Sequence, residues 1–297
     1  MRDHSDFSSA PTRRRRRFDD DEPRFVKRSP RPEFESPERD EDTGWTSWDS
    51  PGVLHGPEPR PDWVITDLAA RDTDRGVLKT GKEADVHLVE RAVPGTDRRM
   101  LLAAKRYRAA DHRLFHRDAG YLEGRRVRES RVTRAMAGRT AFGKEAIAGQ
   151  WAGAEFAALG SLWRLGVSVP YPVQLLGTEL MLEFVGEPDG TAAPRLAQVR
   201  PDRQSLEHLW AQLVDALRVL ARAGLAHGDL SPYNILVHQD RLVLIDLPQI
   251  VDVVINPKGA EFLTRDVTVV ARWFTAKGLT IDPEPLIAEL LHDAGIR

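Results

Sequence analysis

The chain has 297 residues and a formal net charge of -2, so it can form one large domain or two modest lobes, and its overall charge gives no general attraction to nucleic acid. It contains no cysteine, which excludes disulfides, thiol nucleophiles and thiolate metal sites and fits a reducing cytoplasm. No apolar run is long enough to span a bilayer, and the amino terminus lacks the pattern of a signal peptide. The sequence therefore predicts a cytoplasmic protein without a membrane contact.

The first segment, residues 1–62, is rich in proline, serine and charged residues and poor in apolar ones. So little apolar surface cannot offset the entropy lost on folding, and the composition predicts a disordered charged tail. Within it the basic run Arg13–Arg17 is followed at once by acidic residues, which favours a solvated tail over an RNA contact. Trp45, Trp48 and Trp63 offer a way of attaching the end of the tail to the folded body.

A glycine turn between two strands is predicted next, within Gly76–Val89. Gly81 would let backbone N–H groups lie close to phosphate groups, although a plain hairpin is the better interpretation of this stretch when it is taken alone. The following predicted strand, Met100–Tyr107, carries Lys105 near its end. A lysine at that place can reach the α- and β-phosphates of ATP.

Residues 109–143 form a basic segment without a regular period. Such a segment is either a solvated insertion or a mobile loop that orders on a polyanionic partner such as RNA, and the sequence leaves both interpretations open. Its central arginines are Arg125, Arg126, Arg128, Arg131 and Arg134.

A long helix is predicted from Lys144 to Leu165, because apolar residues recur there at spacings of three and four. Glu155 lies among alanines on this helix, where its carboxylate would pair with Lys105 and hold it in the phosphate site. Glu145 is a competing candidate. The order of a strand lysine followed by a helix glutamate favours Glu155.

Two short predicted strands, Gln174–Leu176 and Leu180–Phe184, end in a hinge. The backbone groups of Glu183 and Val185 in this hinge suit the edge of an adenine, since they require no particular side chain. A second long helix, Ser205–Ala223, then leads to the next motif. Two further helices are predicted at Glu261–Phe274 and Pro285–Leu291.

The most specific pattern is His227-Gly-Asp-Leu-Ser-Pro-Tyr-Asn234, followed by a strand that ends in Asp246. Phosphoryl transfer from ATP requires an acid that orients the acceptor hydroxyl and oxygen ligands that hold Mg²⁺ on the phosphates. Asn234 and Asp246 offer such oxygens, and Asp229 is assigned to the acceptor. The plainer alternative is an ordinary polar loop before a hairpin.

The segments Ile235–His238 and Leu242–Ile245 flank a polar turn and predict that hairpin. Pairing of these two strands would bring Asn234 and Asp246 to the same end of the hairpin.

Together these patterns resemble the RIO kinase family of atypical protein-kinase-like ATPases, and within it the RIO1-like branch. The resemblance covers about residues 75 to 275, and the combination of motifs is specific although each piece alone is not. The matching strings are Lys79-Thr80-Gly81-Lys82-Glu83-Ala84, Ala104-Lys105, Trp151 to Glu155, Leu182 to Gly186, His227 to Asn234 and Ile245-Asp246.

The resemblance implies an α+β, two-lobe protein-kinase-like fold of reduced size. Its amino-terminal lobe would contain an antiparallel sheet with helix C, and its carboxyl-terminal lobe would be small and mainly helical. The lobes would then be residues 63–185, with the basic insertion at 109–143, and residues 186–297, with the catalytic and metal-binding loops.

The resemblance also implies ATP and Mg²⁺ as cofactors. Asp229 would be the catalytic base, and Asn234 and Asp246 would hold the metal. Asp246 would also take the γ-phosphoryl group as an aspartyl phosphate, a sensible role for a carboxylate beside Mg²⁺. The residues expected to bind the nucleotide are Thr80, Gly81, Lys82, Glu83, Lys105, Glu155, Glu183, Val185 and Ser231.

Several departures from ordinary protein kinases argue against fast phosphorylation of peptides. Gly228 replaces the arginine of His-Arg-Asp, Leu247-Pro248 replace Phe-Gly, and the chain after Asp246 is too short for a full peptide-docking platform. Asp85 in the phosphate loop would repel a triphosphate unless its carboxylate faces away.

The sequence thus predicts a RIO1-like ATPase and serine-type protein kinase that is slow or phosphorylates itself, with an unknown protein substrate. A link to ribosomal RNA maturation, through RNA or a ribosomal particle bound by the arginine-rich segments, follows from family analogy. Two alternatives stay open: a kinase-like phosphotransferase for a small molecule and a nucleotide-gated binding module. Removal of residues 1–62 is expected to leave ATPase activity largely unchanged.

Overall fold

The computed structural model describes residues 42–108 and 141–296, and it gives the side chains of its first helix from Glu145 onward. The basic run Arg13–Arg17 and the arginine-rich part of the predicted insertion lie outside the described residues. The predictions made for those two segments therefore stay predictions.

A seven-stranded antiparallel sheet forms the first part of the described chain, as the sequence predicts. Its order is β1-β3-β4-β5-β7-β6-β2. The strands are β1 (Thr43–Trp45), β2 (Leu54–His55), β3 (Arg71–Thr80), β4 (Ala84–Ala92), β5 (Arg99–Tyr107), β6 (Pro172–Leu176) and β7 (Glu179–Glu183).

The sheet is strongly curled, and a buried arginine shows it. Arg91 on β4 donates to Asp72 on β3 at 2.6 Å and to Gln174 on β6 at 2.9 Å. Strands β4 and β6 are three places apart in the sheet, which is about 14 Å in a flat sheet. A single side chain bridges them only because the sheet folds over its inner face.

The predicted disordered tail is wrong for residues 42–62. Strand β1 pairs with β3 at one edge of the sheet, and β2 pairs with β6 at the other. Between them Trp48 is buried and stacks on His55, with ring centroids 3.9 Å apart. This segment gains its order from main-chain bonds to existing sheet edges and from one anchored aromatic ring, so it needs few apolar residues of its own.

Four helices are described: α1 (Ala141–Arg164), α2 (Arg203–Arg222), α3 (Gly259–Ala276) and α4 (Pro283–Asp293). Each contains most of a predicted helix. Helix α2 begins after Asp202, whose carboxylate accepts the N–H of Ser205 at 2.8 Å, and it ends before Gly224, which has the left-handed φ of 70°. Among the described helices, none combines the length and apolar character needed to cross a bilayer.

Two small strand pairs and the connecting loops complete the helical part. Strands β8 (Leu225–Ala226) and β11 (Val251–Asp252) pair with each other, and β9 (Ile235–His238) pairs with β10 (Arg241–Leu244). The second pair is the predicted hairpin. An antiparallel sheet with one long helix, followed by a mainly helical part, is the α+β kinase-like fold expected from the sequence.

Candidate active site

The centre of the site is an ammonium group between two carboxylates. Lys105 on β5 donates from Nζ to Glu155 at 2.8 Å and to Asp246 at 2.8 Å. Burial lowers the pKa of Lys105, but the two carboxylates outweigh burial, and the pKa lies well above its ordinary value. Lys105 is therefore a fixed cation. The competing helix residue, Glu145, is exposed.

Glu155 is held from a second direction by Tyr107, which the sequence analysis did not identify. Glu155 is only 1% exposed, and the Tyr107 hydroxyl donates to its Oε2. Burial and the charge of Glu155 raise the pKa of Tyr107, so the phenol keeps its proton and remains a donor. Tyr107 follows Lys105 by two residues on one strand, and this spacing alone places both side chains on the same face.

Backbone pairing in the β9–β10 hairpin brings the two predicted metal ligands, Asn234 and Asp246, to one end of the hairpin. Leu244 on β10 lies opposite Ile235 on β9, and the N–H of Ile245 donates to the carbonyl of Asn234 at 3.0 Å. Asn234 and Asp246 therefore lie at the same end of the hairpin, as predicted. Burial raises the pKa of Asp246, but the charge and hydrogen bond of Lys105, together with the charges of Lys79 and His227, lower it by more, so the net shift is downward and favours the carboxylate.

The groups present at this end of the hairpin suit a magnesium ion. The side-chain NH₂ of Asn234 donates to the carbonyl of Asp229 at 2.8 Å, so its amide oxygen remains available as an acceptor. Asp246 uses Oδ1 for Lys105 and retains Oδ2. The described ranges contain no group of three acidic or histidine side chains that could hold a metal. A magnesium ion here would take its other ligands from nucleotide phosphates and water, as Mg²⁺ commonly does.

The loop around Asp229 is held by hydrogen bonds to Asp266, another residue that the sequence analysis missed. Its carboxylate accepts the N–H of Gly228 at 2.8 Å and that of Leu230 at 2.9 Å. Gly228 has a φ of 84°, and a Cβ there would overlap with the carbonyl oxygen of Gln249. Glycine thus replaces the kinase arginine in a turn that a larger residue would strain. The sequence feature that could have identified Asp266 is its position on the apolar face of α3, among Leu263, Val267 and Val270.

The proposed catalytic base remains in contact with solvent. Asp229 has a side chain that is 47% exposed, and Arg265 on α3 approaches it at 3.4 Å. Burial raises the pKa of Asp229, and the charge of Arg265 opposes that shift. His227 is buried behind it, where its Nε2 lies 3.1 Å from the carbonyl oxygen of Ile245 and donates to it. The loop backbone on both sides of Asp229 is therefore fixed, while its carboxylate remains accessible to solvent.

The predicted phosphate loop is a short connection between β3 and β4. Thr80 ends β3 and is exposed, the N–H of Gly81 donates to the carbonyl of Ala84 at 2.9 Å, and Lys82 is exposed. A Cβ on Gly81 would lie 2.9 Å from that same carbonyl oxygen, which explains the glycine. The carbonyl of Glu83 accepts the N–H of Arg108 at 2.9 Å.

Asp85 faces away from the cluster around Lys105. Val86 lies directly opposite Lys105 in the sheet, so Asp85, one residue earlier, projects from the other face. Its carboxylate pairs with Arg108, whose Nε lies at 2.7 Å. The concern that Asp85 would repel a triphosphate does not arise in this geometry.

Some backbone groups of the hinge residues are already used in hydrogen bonds within the protein, and this limits which of them could bind an adenine. The N–H of Glu183 donates to the carbonyl of Tyr171 at 2.9 Å, and the carbonyl of Val185 accepts the N–H of Ala193 at 3.0 Å. An adenine edge would therefore use the carbonyl of Glu183 and the N–H of Val185. Ser231 has its carbonyl bonded to the N–H of Asn234 at 2.9 Å and lies within the catalytic loop.

Known proteins share this arrangement of motifs. A family model described as the RIO domain matches residues 102–286. The RIO-type serine/threonine-protein kinase Rio1 of Haloferax volcanii is 36% identical over 224 residues, which is 75% of this chain and 71% of that protein. Its counterpart in Thermoplasma acidophilum is 33% identical over 136 residues, 46% of this chain and 69% of that protein. The serine/threonine-protein kinase RIO1 of Saccharomyces cerevisiae is 33% identical over 144 residues, 48% of this chain but only 30% of the yeast protein.

Proposed function

The chain belongs to the RIO kinase family, and on that premise we propose that it transfers the γ-phosphoryl group of Mg-ATP to a serine hydroxyl, as a slow or self-phosphorylating RIO1-like protein kinase with ATPase activity. The observation that carries this proposal is the position of Lys105, whose Nζ lies 2.8 Å from both Glu155 and Asp246. Phosphoryl transfer depends mainly on positioning of the nucleotide and on stabilisation of its negative charge. The ammonium group of Lys105, held in place by Glu155, supplies both.

In this proposal each residue acts on a defined part of the nucleotide. Lys105, fixed by Glu155, binds the α- and β-phosphates, and the hinge groups of Glu183 and Val185 bind the adenine. The backbone of Gly81 covers the phosphates. Together with the sheet above them, these contacts orient ATP in the cleft.

The reacting end of the nucleotide lies between the two acids. Asp229, in its carboxylate form, accepts the proton of the attacking hydroxyl, because it is reachable from solvent and its loop is fixed by Asp266. Asn234 and Asp246 hold Mg²⁺, which neutralises charge on the phosphates when it is bound. Asp246 is also the proposed acceptor in an aspartyl phosphate: a carboxylate oxygen would bond to the γ-phosphorus while the bond to the β-phosphate oxygen breaks and ADP leaves.

The experiment is a single-turnover measurement with ATP labelled at the γ-phosphate, in which released phosphate and label in protein are followed separately. We expect activity in the unaltered chain, its loss in Asp246→Asn, and its loss when magnesium is chelated. Asp215→Asn, a change of an exposed acid on α2, is the matched control and should keep full activity. Retained turnover in a folded Asp246→Asn protein would remove the metal assignment.

The acceptor is identified in the same assay by supplying proteins, ribosomal factors and small alcohols in turn. Label in a small alcohol alone would favour the small-molecule phosphotransferase. Contact with RNA or a ribosomal particle stays a prediction, because it rests on arginines outside the described residues. The cytoplasmic location is likewise a prediction from composition.

A further inference from the structure

A second lysine lies on the nucleotide side of the sheet. Lys79 on β3 is directly opposite Val86 on β4, and Val86 is directly opposite Lys105 on β5. Residues opposite one another in an antiparallel sheet project from the same face, so Lys79 and Lys105 point the same way. The Cα atoms of Lys79 and Lys105 are two strand spacings apart, about 10 Å, and Lys105 contacts Asp246 on that face.

An arginine occupies the opposite wall of the same space. Arg195 forms a β-bridge with Leu236, which is two residues after Asn234 on the hairpin. The N–H of Ala197 donates to the carbonyl of Pro232 at 3.0 Å, so this stretch packs directly on the catalytic loop. Arg195 therefore starts from a fixed backbone on the hairpin side, whereas Lys79 starts from the sheet.

Lys79 and Arg195 both lie within the electrostatic range of Asp246. Burial lowers the pKa of Lys79, the charge of Arg195 lowers it further, and Asp246 raises it. Burial also lowers the pKa of Arg195, against an opposing effect of Asp246. The like charges of Lys79 and Arg195 thus repel each other, whereas Asp246 attracts both.

The charges in this space are unbalanced in favour of cations. Lys105 is paired with both Glu155 and Asp246, whereas no ion pair among the described residues includes Lys79 or Arg195. Holding two like charges near each other without partners costs free energy, and a polyanion placed between them would offset that cost. A triphosphate is such a polyanion.

We propose that Lys79 and Arg195 bind the polyphosphate chain of the nucleotide from opposite walls of the cleft and thereby set a preference for ATP over nucleotides with fewer phosphates. This assignment rests on the proposed function and adds two residues to its site. Because these two side chains would contact the phosphates and not the acceptor hydroxyl, their contribution is to affinity and selectivity.

The test is isothermal titration of the full chain with Mg-ATP, Mg-ADP and adenosine. In Lys79→Ala and in Arg195→Ala we expect the Kd for Mg-ATP to rise about tenfold, the Kd for Mg-ADP to rise less, and the Kd for adenosine to stay unchanged. The conservative variants Lys79→Arg and Arg195→Lys should recover most of the ATP affinity. Arg203→Ala, which removes an exposed arginine of α2, is the matched control and should bind all three like the unaltered protein.

Each outcome separates the two proposals. An equal loss for ATP and adenosine would mean that Lys79 and Arg195 only support the fold, and unchanged ATP affinity in both variants would overturn the assignment while leaving the proposed function intact. Absence of ATP binding in the unaltered protein would overturn the proposed function and this assignment with it.

Discussion

The hydroxyl of Tyr107 donates to the carboxylate of Glu155, and Lys105 binds the same carboxylate at 2.8 Å. The glutamate is thus held by two donors from one strand, two residues apart. The N–H of Leu247 also approaches Glu155 at 3.4 Å. The helix that carries Glu155 is therefore connected both to the sheet and to the segment that follows Asp246.

Loss of the phenol should weaken catalysis without removing any group that contacts ATP. Tyr107→Phe removes one of the two side-chain donors to a buried carboxylate and leaves only Lys105, at a cost of about 1–3 kcal/mol. We expect kcat to fall about tenfold with little change in KM, measured in steady-state ATPase assays. Tyr171→Phe is the control, since it removes a buried phenol bond to the carbonyl of Pro57 away from the site. Equal effects of both variants on kcat would show that Tyr107 has no positioning role.

The pH dependence of the rate should respond to Arg265. Asp229 must be ionised to accept a proton, and burial raises its pKa while Arg265 and His227 oppose that rise. Loss of the arginine charge disfavours the carboxylate anion, so Arg265→Ala should raise the pKa of Asp229 further. We expect the acidic limb of the single-turnover pH profile to move to higher pH.

The control for that shift lies on the same helix. Arg272→Ala removes an exposed arginine two turns further along α3 and should leave the profile unchanged. An acidic limb that stays in place in Arg265→Ala would argue against Asp229 as the base.

The catalytic loop should lose stability when its buried anchor is neutralised. In Asp266→Asn the carboxylate becomes an amide with one acceptor oxygen, so only one of the two N–H groups, those of Gly228 and Leu230, keeps its acceptor. We expect the free energy of unfolding to fall by about 2–3 kcal/mol. The measurement is denaturant unfolding. Asp293→Asn, which breaks a partly exposed pair with Arg222, should cost less than about 1 kcal/mol. Similar losses in both variants would contradict an anchoring role for Asp266.

The segment of residues 42–62 should be required for stability. Trp48→Ala empties a buried site and should cost about 3–5 kcal/mol, which lowers Tm by on the order of 10 °C. Trp45→Ala, at a position that is 66% exposed, is the matched control and should change Tm little. A chain that begins at residue 63 should lose ATPase activity on warming before a chain that begins at residue 42. Equal Tm values for those two chains would restore the original expectation that residues 1–62 are dispensable.

The sequence predicted the elements whose cause is local. Helix periodicity and the polar turn between β9 and β10 depend on neighbouring residues, and the structure confirms these elements within a few positions. The pairing of Lys105 with Glu155 followed from the order of strand and helix. These features need no knowledge of distant contacts.

The missed features depend on contacts between distant parts of the chain. Asp266 reaches Gly228 across 38 residues, and Tyr107 reaches Glu155 across 48. Residues 42–62 are ordered by sheet edges that form elsewhere, so their own composition gave the wrong prediction. Lys79 could be connected with the site only when the register placed it on the same face of the sheet as Lys105.

The backbone of Asp246 has a practical consequence for inactivating this enzyme. Its φ of 67° lies in a region where asparagine and aspartate are tolerated but alanine is disfavoured. An inactive Asp246→Ala protein would thus combine a lost carboxylate with a distorted chain direction. Asparagine preserves the bend, so the amide variant is the dead form suited to trapping a substrate.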